Sequence, residues 1–205
     1  YMLRVFEAFA GYGSQSIALR NLGIEHEVVA ISEIDKYAIK AYEAIHGPAN
    51  NLGDICKINP KDIPDHDLFT YSFPCQDLSV AGKQAGLGKG TRSGLLYECE
   101  KIIEAKKPKY LLLENVKNLV GKKFKPQFDE WLQYLEGLGY TNCWKVLNTK
   151  DYGIPQNRER CFMISILGDY FYGFPQTIPL KLKLKDLLDD EVGDILKVSE
   201  GRWQI

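Results

Sequence analysis

Cys75 directly follows an apolar segment, residues 67–73, and lies between Pro74 and Gln76. Such a segment predicts a strand, which puts the thiol at a carboxyl end, the edge at which open α/β sheets bind ligands. An ionised thiol attacks electron-poor carbon well. Free cysteines are more often buried and inert, so Cys75 becomes a candidate nucleophile only if other reactive groups share its edge.

A carboxyl group is the first such partner. The apolar run of residues 109–113 ends in Glu114, and a carboxylate that closes a buried strand is costly unless it has a partner or a task. If the strands that begin at Leu68 and Tyr110 are parallel neighbours about 4.8 Å apart, Cys75 and Glu114 face one pocket. The alternative for Glu114 is a helix cap or a structural salt bridge.

Two arginines form the second candidate group. Arg158 and Arg160 are two residues apart and directly precede the apolar run of residues 161–165. One of them should therefore point inward, where a guanidinium could bind a carbonyl oxygen or a phosphate. A surface cluster of salt bridges is the alternative.

A glycine-rich turn indicates a nucleotide-like ligand. Gly11 and Gly13 follow the first predicted strand, but Ser16 stands where the dinucleotide fingerprint has a third glycine. Glu33 closes the second predicted strand, twenty residues after Gly13, where a carboxylate can accept both ribose hydroxyl protons. The pattern favours a ribose-bearing ligand over an ordinary tight turn.

Asp54 belongs to the same edge in this interpretation. It follows a short predicted strand and could accept from an adenine amino group. It could equally cap the turn before Ile58.

The elements that must position these groups alternate along the chain. Apolar runs predict strands at 3–9, 27–33, 68–73, 110–115, 144–148 and 161–167, and apolar residues at helical spacing predict helices at 15–22, 36–45, 93–106 and 126–138. This alternation predicts an α/β fold with a doubly wound, mostly parallel sheet and helices on both faces. Residues 180–190 fit either an edge strand or a helical turn.

Composition limits the class of protein. With 205 residues and a net charge of −1, the chain is of single-domain size and lacks a global basic character, so any nucleic-acid contact must come from local patches. Its five cysteines form no C-x-x-C pair, and no apolar run approaches the roughly 18 residues of a membrane span. We expect a cytoplasmic protein in a reducing compartment, with no membrane partner.

Taken in order, these segments resemble the C5-cytosine DNA methyltransferase family. Four motifs carry the resemblance. They are an S-adenosylmethionine motif at residues 9–13, a nucleophile motif at residues 73–76 with Ser79, an acid motif at residues 114–116 and an arginine motif at residues 156–160. It implies a Rossmann-like S-adenosylmethionine-dependent methyltransferase fold and no metal. The implied cofactor contacts are Phe9, Gly11, Gly13, Glu33, Ile34, Asp54 and Phe73.

The resemblance also implies a covalent mechanism. Cys75 would add to C6 of a cytosine flipped out of double-stranded DNA, and protonated Glu114, in an apolar setting, would donate to ring N3. Arg160 would hold the cytosine O2 and Arg158 would support the pocket. The products are 5-methylcytosine and S-adenosylhomocysteine.

Further contacts with DNA follow from the same resemblance. Residues 81–93 are rich in glycine and carry three cations, as expected for a catalytic loop that closes on phosphates. Gln76, Ser79 and Arg92 would be the DNA-binding residues. The alternative is a solvated loop. A bacterial or phage restriction-modification enzyme, cytoplasmic or associated with the nucleoid, is the expected setting.

The chain departs from the family pattern after residue 168. Residues 1–168 should form the catalytic domain and 169–205 a linker and the start of a truncated target-recognition region, so we expect a fragment or an enzyme completed by a second chain. A tRNA cytosine C5 methyltransferase and a catalytically incomplete subunit stay open as alternatives. Ser16 and the Pro-Cys-Gln segment disfavour a nucleotide-dependent oxidoreductase.

Overall fold

The computed structural model describes residues 1–74 and 95–188. Six strands lie in this part of the chain: β1 (Leu3–Ala8), β2 (His26–Ser32), β3 (Leu68–Tyr71), β4 (Tyr110–Val116), β5 (Tyr140–Asn148) and β6 (Glu159–Leu167). Four α-helices accompany them: α1 (Ser14–Asn21), α2 (Lys36–His46), α3 (Leu96–Lys106) and α4 (Lys125–Gly137).

The strands form one sheet in the order β2-β1-β3-β4-β6-β5. β1 pairs in parallel with β2 and β3, and β3 pairs in parallel with β4. β6 then pairs with β4 in the antiparallel direction. The predicted α/β fold with a mostly parallel sheet is confirmed, as is the parallel pairing of the strands that begin at Leu68 and Tyr110.

The central strands are buried because helices and loops cover them. The last four residues of β1 are buried, as in parallel strands covered on both faces. β4 alternates instead: Leu111, Leu113 and Asn115 are buried, whereas Glu114 lies on the less buried face. The main core gathers β1, β3, β4 and β6 with the apolar sides of α3 and α4.

Helix ends are set by local chemistry. Asp35 caps α2, because its carboxylate accepts from the amides of Tyr37 and Ala38, both at 2.8 Å, and Gly47 is the C-cap of that helix. α1 begins at Gly13 without a side-chain cap of its own.

A carboxylate beneath α1 replaces the missing cap. Glu7 is completely buried on β1, and its Oε1 accepts from the backbone N–H of Ser16 at 3.1 Å and from the Ser16 hydroxyl at 2.9 Å. Its Oε2 accepts from the Tyr42 hydroxyl of α2 at 2.8 Å. Ser16, which stands where the dinucleotide fingerprint has a third glycine, is therefore bound to the first strand through Glu7.

One predicted detail differs. Instead of a strand before Asp54, Asn51 forms an isolated parallel bridge with Ile31, and a 3₁₀ turn follows at Ile55–Lys57. For residues 180–190, where an edge strand and a helical turn were both open, the structure has a 3₁₀ turn at Leu184–Leu187.

The chain divides into two compact units. Among the described residues, the first comprises those within 1–147 and 159–175, and the second comprises 148–158 and 176–188. The domain boundary expected at residue 168 stays a prediction. Across residues 1–74 and 95–188, no helix is both long and apolar enough to cross a membrane.

Candidate active site

A cavity of about 160 Å³ opens at the carboxyl edge of the sheet. Apolar side chains of Phe9, Ile34, Ile55 and Leu95 line it together with two carboxylates, Glu33 and Asp54. The remaining lining residues are Ser32, Gly53 and Pro74. Apolar walls suit an aromatic base and carboxylates suit hydroxyl or amino donors, so the lining fits a nucleoside.

Glu33 is already engaged by the backbone. Its Oε2 accepts from the Gly11 N–H at 2.8 Å, and its Oε1 accepts from the N–H groups of Ile34 and Asp35 at 2.8 and 2.9 Å. A carboxylate offers about four acceptor positions, so about one is left for a ligand. Glu33 thus fixes the glycine turn as well as lining the cavity.

Asp54 fulfils one of the two expected interpretations, the cap of the turn before Ile58, whereas its contact with an adenine amino group stays a prediction. Its Oδ1 accepts from the Cys56 N–H at 3.1 Å, which caps the 3₁₀ turn, and the residue also lines the cavity. Phe9 lies in the left-handed region with φ of 56°, a conformation that is rare for a large side chain and is found mainly at functional sites.

Three of the expected cofactor residues are not among those that line this cavity, and their contacts with a cofactor stay predictions. Gly13 leaves room for α2, since a Cβ there would stand 2.4 Å from the His46 Nε2. Gly11 contributes its N–H to Glu33. Phe73 is buried in the main core at 2% exposure, and its neighbour Pro74 lines the cavity instead.

Glu114 and Arg160 form an ion pair at the same edge, with 3.1 Å between Oε1 and Nε. Glu114 pairs with Phe162 across the antiparallel ladder, so Arg160, two residues earlier, is its diagonal neighbour on the same face. Both side chains are about one quarter exposed. The setting of Glu114 is therefore a charged pair, not the apolar environment expected from the sequence.

Asn115 points to the opposite face of β4 and joins two strand ends. Its Nδ2 donates to the Phe73 carbonyl oxygen at 3.1 Å, and its Oδ1 accepts from the Val116 N–H at 2.9 Å. The residue is 3% exposed. The backbone two residues before Cys75 is therefore tied to the residue next to Glu114.

Cys75, Gln76, Ser79 and Arg92 lie outside the described residues. Burial raises the pKa of the Cys161 thiol to about 12, with a contribution from the nearby Glu114 charge. Desolvation also raises the pKa of Cys99 and of Cys56. These three thiols are thus disfavoured as thiolate nucleophiles.

Arg158 belongs to the second unit and is exposed. Its backbone N–H donates to the Asn148 Oδ1 at 3.1 Å, and the Asn148 Nδ2 donates to the Asn157 Oδ1 at 2.7 Å. Thr149 donates to the carbonyl of Gln156 through its hydroxyl. The arginine motif therefore begins in a turn held by the last residue of β5.

A model of the family described as C-5 cytosine-specific DNA methylase matches residues 3–205. The chain belongs to this family. It is 48% identical to the type II methyltransferase M2.ScrFI of Lactococcus lactis subsp. cremoris, with 94% of this chain and 69% of that protein covered. It is 38% identical to the type II methyltransferase M.NlaX of Neisseria lactamica, with 99% and 65% covered.

A solved structure supports the same fold for this cytosine methylase chain. The Entamoeba histolytica methyltransferase EhMeth superposes with a TM-score of 0.79 at 20% identity, with 97% of this chain and 63% of that chain covered. The chain thus spans about two thirds of the length of these relatives.

Sequence reasoning missed several residues of this methylase site. Ser32, Gly53, Ile55 and Leu95 line the cavity but belong to none of the sequence motifs, and Pro74 lies in the nucleophile motif without having been expected at the cavity. The position of each next to a predicted strand end or turn was the only available indication. Asn51 and Asn115 act through bonds to the backbone, which residue patterns do not reveal.

Proposed function

We propose that this chain transfers a methyl group from S-adenosylmethionine to C5 of cytosine in double-stranded DNA. The observation that carries the proposal is the ion pair of Glu114 with Arg160, 3.1 Å apart at the edge where the strand leading to Cys75 ends. Membership of the cytosine methylase family supports this assignment.

The cavity fits the nucleoside part of the cofactor. Phe9, Ile34 and Ile55 would contact the adenine ring, and Asp54 would accept from its amino group. Glu33 would accept from one ribose hydroxyl at Oε2, since its other acceptor positions bind the backbone. Bound S-adenosylmethionine supplies an electrophilic methyl group and leaves as S-adenosylhomocysteine.

Cys75 makes cytosine reactive enough to accept that methyl group. Its thiolate forms an S–C6 bond, and the electron pair of the C5–C6 double bond becomes available at C5. After C5 is methylated, its proton passes to water, the electron pair of the broken C5–H bond re-forms the C5–C6 double bond, and the S–C6 bond breaks to release the thiolate. Because C6 is inaccessible inside a duplex, the nucleotide must first be flipped out of the stack.

Glu114 and Arg160 would stabilise the charge that this addition creates. The Glu114 carboxylate of the ion pair would take up a proton from solvent as cytosine binds, and this proton would move to N3 as the S–C6 bond forms and return when that bond breaks. The Arg160 guanidinium, with Nε held by Glu114, would donate to the cytosine O2. Arg158 would support the pocket, and Gln76, Ser79 and Arg92 would contact the DNA.

Methyl transfer to plasmid DNA from a host without cytosine methylation tests the proposal, because a plasmid contains most short sequences. We expect tritium from labelled S-adenosylmethionine to enter DNA as 5-methylcytosine. Cys75→Ser should abolish transfer while cofactor binding, measured by calorimetry, persists. A duplex with 5-fluorocytosine should trap the wild-type protein covalently.

The matched control is Cys143→Ser, which changes a free and only partly buried cysteine on β5. This variant should methylate and trap DNA as the wild type does. Methylation that survives Cys75→Ser would exclude the covalent mechanism. Labelling of tRNA but not of DNA in a parallel reaction would exclude DNA as the substrate.

A further inference from the structure

Asn51 binds two walls of the cofactor cavity through one side chain. One wall is the segment of Glu33 and Ile34, and the other is the segment of Gly53, Asp54 and Ile55. Its Oδ1 accepts from the backbone N–H of Glu33 at 3.1 Å and from that of Gly53 at 3.0 Å. Its Nδ2 donates to the Glu33 carbonyl oxygen at 3.1 Å. Both polar groups of the amide are thus used by the backbone.

The segment that carries Asn51 lies beside the end of β2. The Ile31 N–H donates to the Asn50 carbonyl, and the Leu52 N–H donates to the Ile31 carbonyl, both at 2.9 Å. Asn50 also donates through its side chain to the Val29 carbonyl at 3.0 Å. Backbone pairing and Asn50 therefore attach the segment to the strand upstream of the cavity.

The cavity is lined by residues that follow these two segments along the chain, not by Asn50 or Asn51. Glu33 and Ile34, which follow β2, line the cavity together with Gly53, Asp54 and Ile55, which follow Asn51. The Gly53 carbonyl accepts from the Ser32 hydroxyl at 2.8 Å. Asn51 and Ser32 thus hold the Gly53 peptide groups from two sides, and Asn51 alone of the two also fixes the backbone of Glu33.

We infer that Asn51 is a positioning residue for the cofactor, which sets the separation between the carboxylates of Glu33 and Asp54. The inference rests on the proposed S-adenosylmethionine site. One ligand must contact both carboxylates at once, and a bond that fixes both walls before binding removes the cost of ordering them. Asn51 has no need to touch the ligand.

Calorimetric titration of S-adenosylmethionine into Asn51→Ala tests this inference. We expect the Kd to rise about tenfold, the size typical of a lost hydrogen bond at a site that depends on geometry. In methyl transfer, KM for the cofactor should rise similarly while kcat stays within about twofold. A purely structural role of Asn51 would lower the melting temperature without raising KM selectively over kcat.

Asn50→Ala is the matched control, because it removes a neighbouring amide that binds the same strand outside the cavity. It should lower thermal stability but leave the Kd within about twofold. Asn51→Asp keeps the oxygen that accepts from both N–H groups, so its Kd should lie between those of wild type and Asn51→Ala.

The outcomes separate the two proposals. If wild type binds the cofactor and Asn51→Ala binds equally well, or if both alanine variants weaken binding alike, the positioning role is wrong and the proposed function stands. If wild type does not bind S-adenosylmethionine, the proposed function fails and the inference fails with it.

Discussion

At the scale of residues, Glu114 and Asn115 divide two tasks between the two faces of one strand. Successive side chains of a strand point to opposite faces, so adjacent residues cannot share a pocket. Glu114 pairs with Arg160 on one face, and Asn115 binds the Phe73 carbonyl from the other. The dipeptide therefore carries the proposed proton donor and the support for the neighbouring strand end.

Asn115→Ala should slow methyl transfer more than it weakens cofactor binding. The substitution leaves the Phe73 carbonyl without this donor, and the strand end before Cys75 is then free to shift relative to Glu114. Misplacement of reacting groups by about 1 Å can cost on the order of a hundredfold in rate. We expect kcat to fall at least about tenfold in single-turnover assays.

Asn142→Ala provides the comparison. Asn142 also donates through Nδ2 to a backbone carbonyl, that of Leu132 at 3.0 Å, but it lies on β5. This variant should lose stability in urea unfolding and keep its rate. Equal rate losses in both variants would assign the Asn115 effect to general loosening.

At the scale of elements, Glu7 joins β1, α1 and α2 through one buried carboxylate. It supplies the cap that α1 lacks and binds Tyr42 of α2. Burial and the Glu7 charge hold the pKa of Tyr42 well above its usual range, so the hydroxyl remains a donor. The position of the glycine turn thus depends on contacts beneath the sheet edge.

Tyr42→Phe should lower the free energy of unfolding by about 1–3 kcal/mol, the cost typical of removing a hydrogen bond to a buried charged group. The aromatic ring and its packing against Ile31 and Ala10 are retained. Urea unfolding at neutral pH measures the change.

Tyr37→Phe, on the same helix, should change the unfolding free energy by less than about 0.5 kcal/mol. Its ring is 69% exposed, and the contact with the Lys36 ammonium is to the ring face. If the two variants lose equal stability, the Glu7 network does not tie the elements together as described.

At the scale of the whole molecule, a histidine in the core links stability to pH. His66 packs against the rings of Phe6 and Phe69, and its Nδ1 lies 2.9 Å from the Pro64 carbonyl. Its Nε2 has no hydrogen-bond partner among the described residues. Burial lowers the pKa of His66 below its usual 6.5, and the charge of Lys106 adds to this effect.

Stability should therefore fall as the pH is lowered through about 6.5, because the unfolded chain then takes up a proton that the folded protein rejects. The contribution is complete above pH 6.5. The slope from this one group can approach about 1.4 kcal/mol per pH unit. Urea unfolding between pH 7 and pH 5 measures the slope.

His66→Phe keeps an aromatic ring against Phe6 and Phe69 but removes the titrating group, so its unfolding free energy should depend less on pH over the same interval. The Asp67 carboxyl, whose pKa is lowered from 3.8, loses its contribution only at more acidic pH. Identical slopes in the two proteins would contradict the assignment.

The fold could be predicted from the sequence because the spacing of apolar residues and the presence of turn residues are local properties. The parallel pairing of β3 and β4 and the position of Glu114 at a strand end followed from them. The diagonal contact of Glu114 with Arg160 could not be predicted in this way, since it depends on the antiparallel register of β6. The burial of Phe73 in the core and the bond of Asn51 to Gly53 at the cavity depend on contacts that no local pattern encodes.

The reversed direction of β6 also has a consequence for biosynthesis. Glu114 stands near the end of its strand, but Arg160 stands near the start of β6, and only the reversal brings both to one edge. A nascent chain acquires Cys75 and Glu114 long before β6 leaves the ribosome. Since pairing of β6 is what delivers the guanidinium, the charged pair forms only after β6 has been synthesised and has paired with β4.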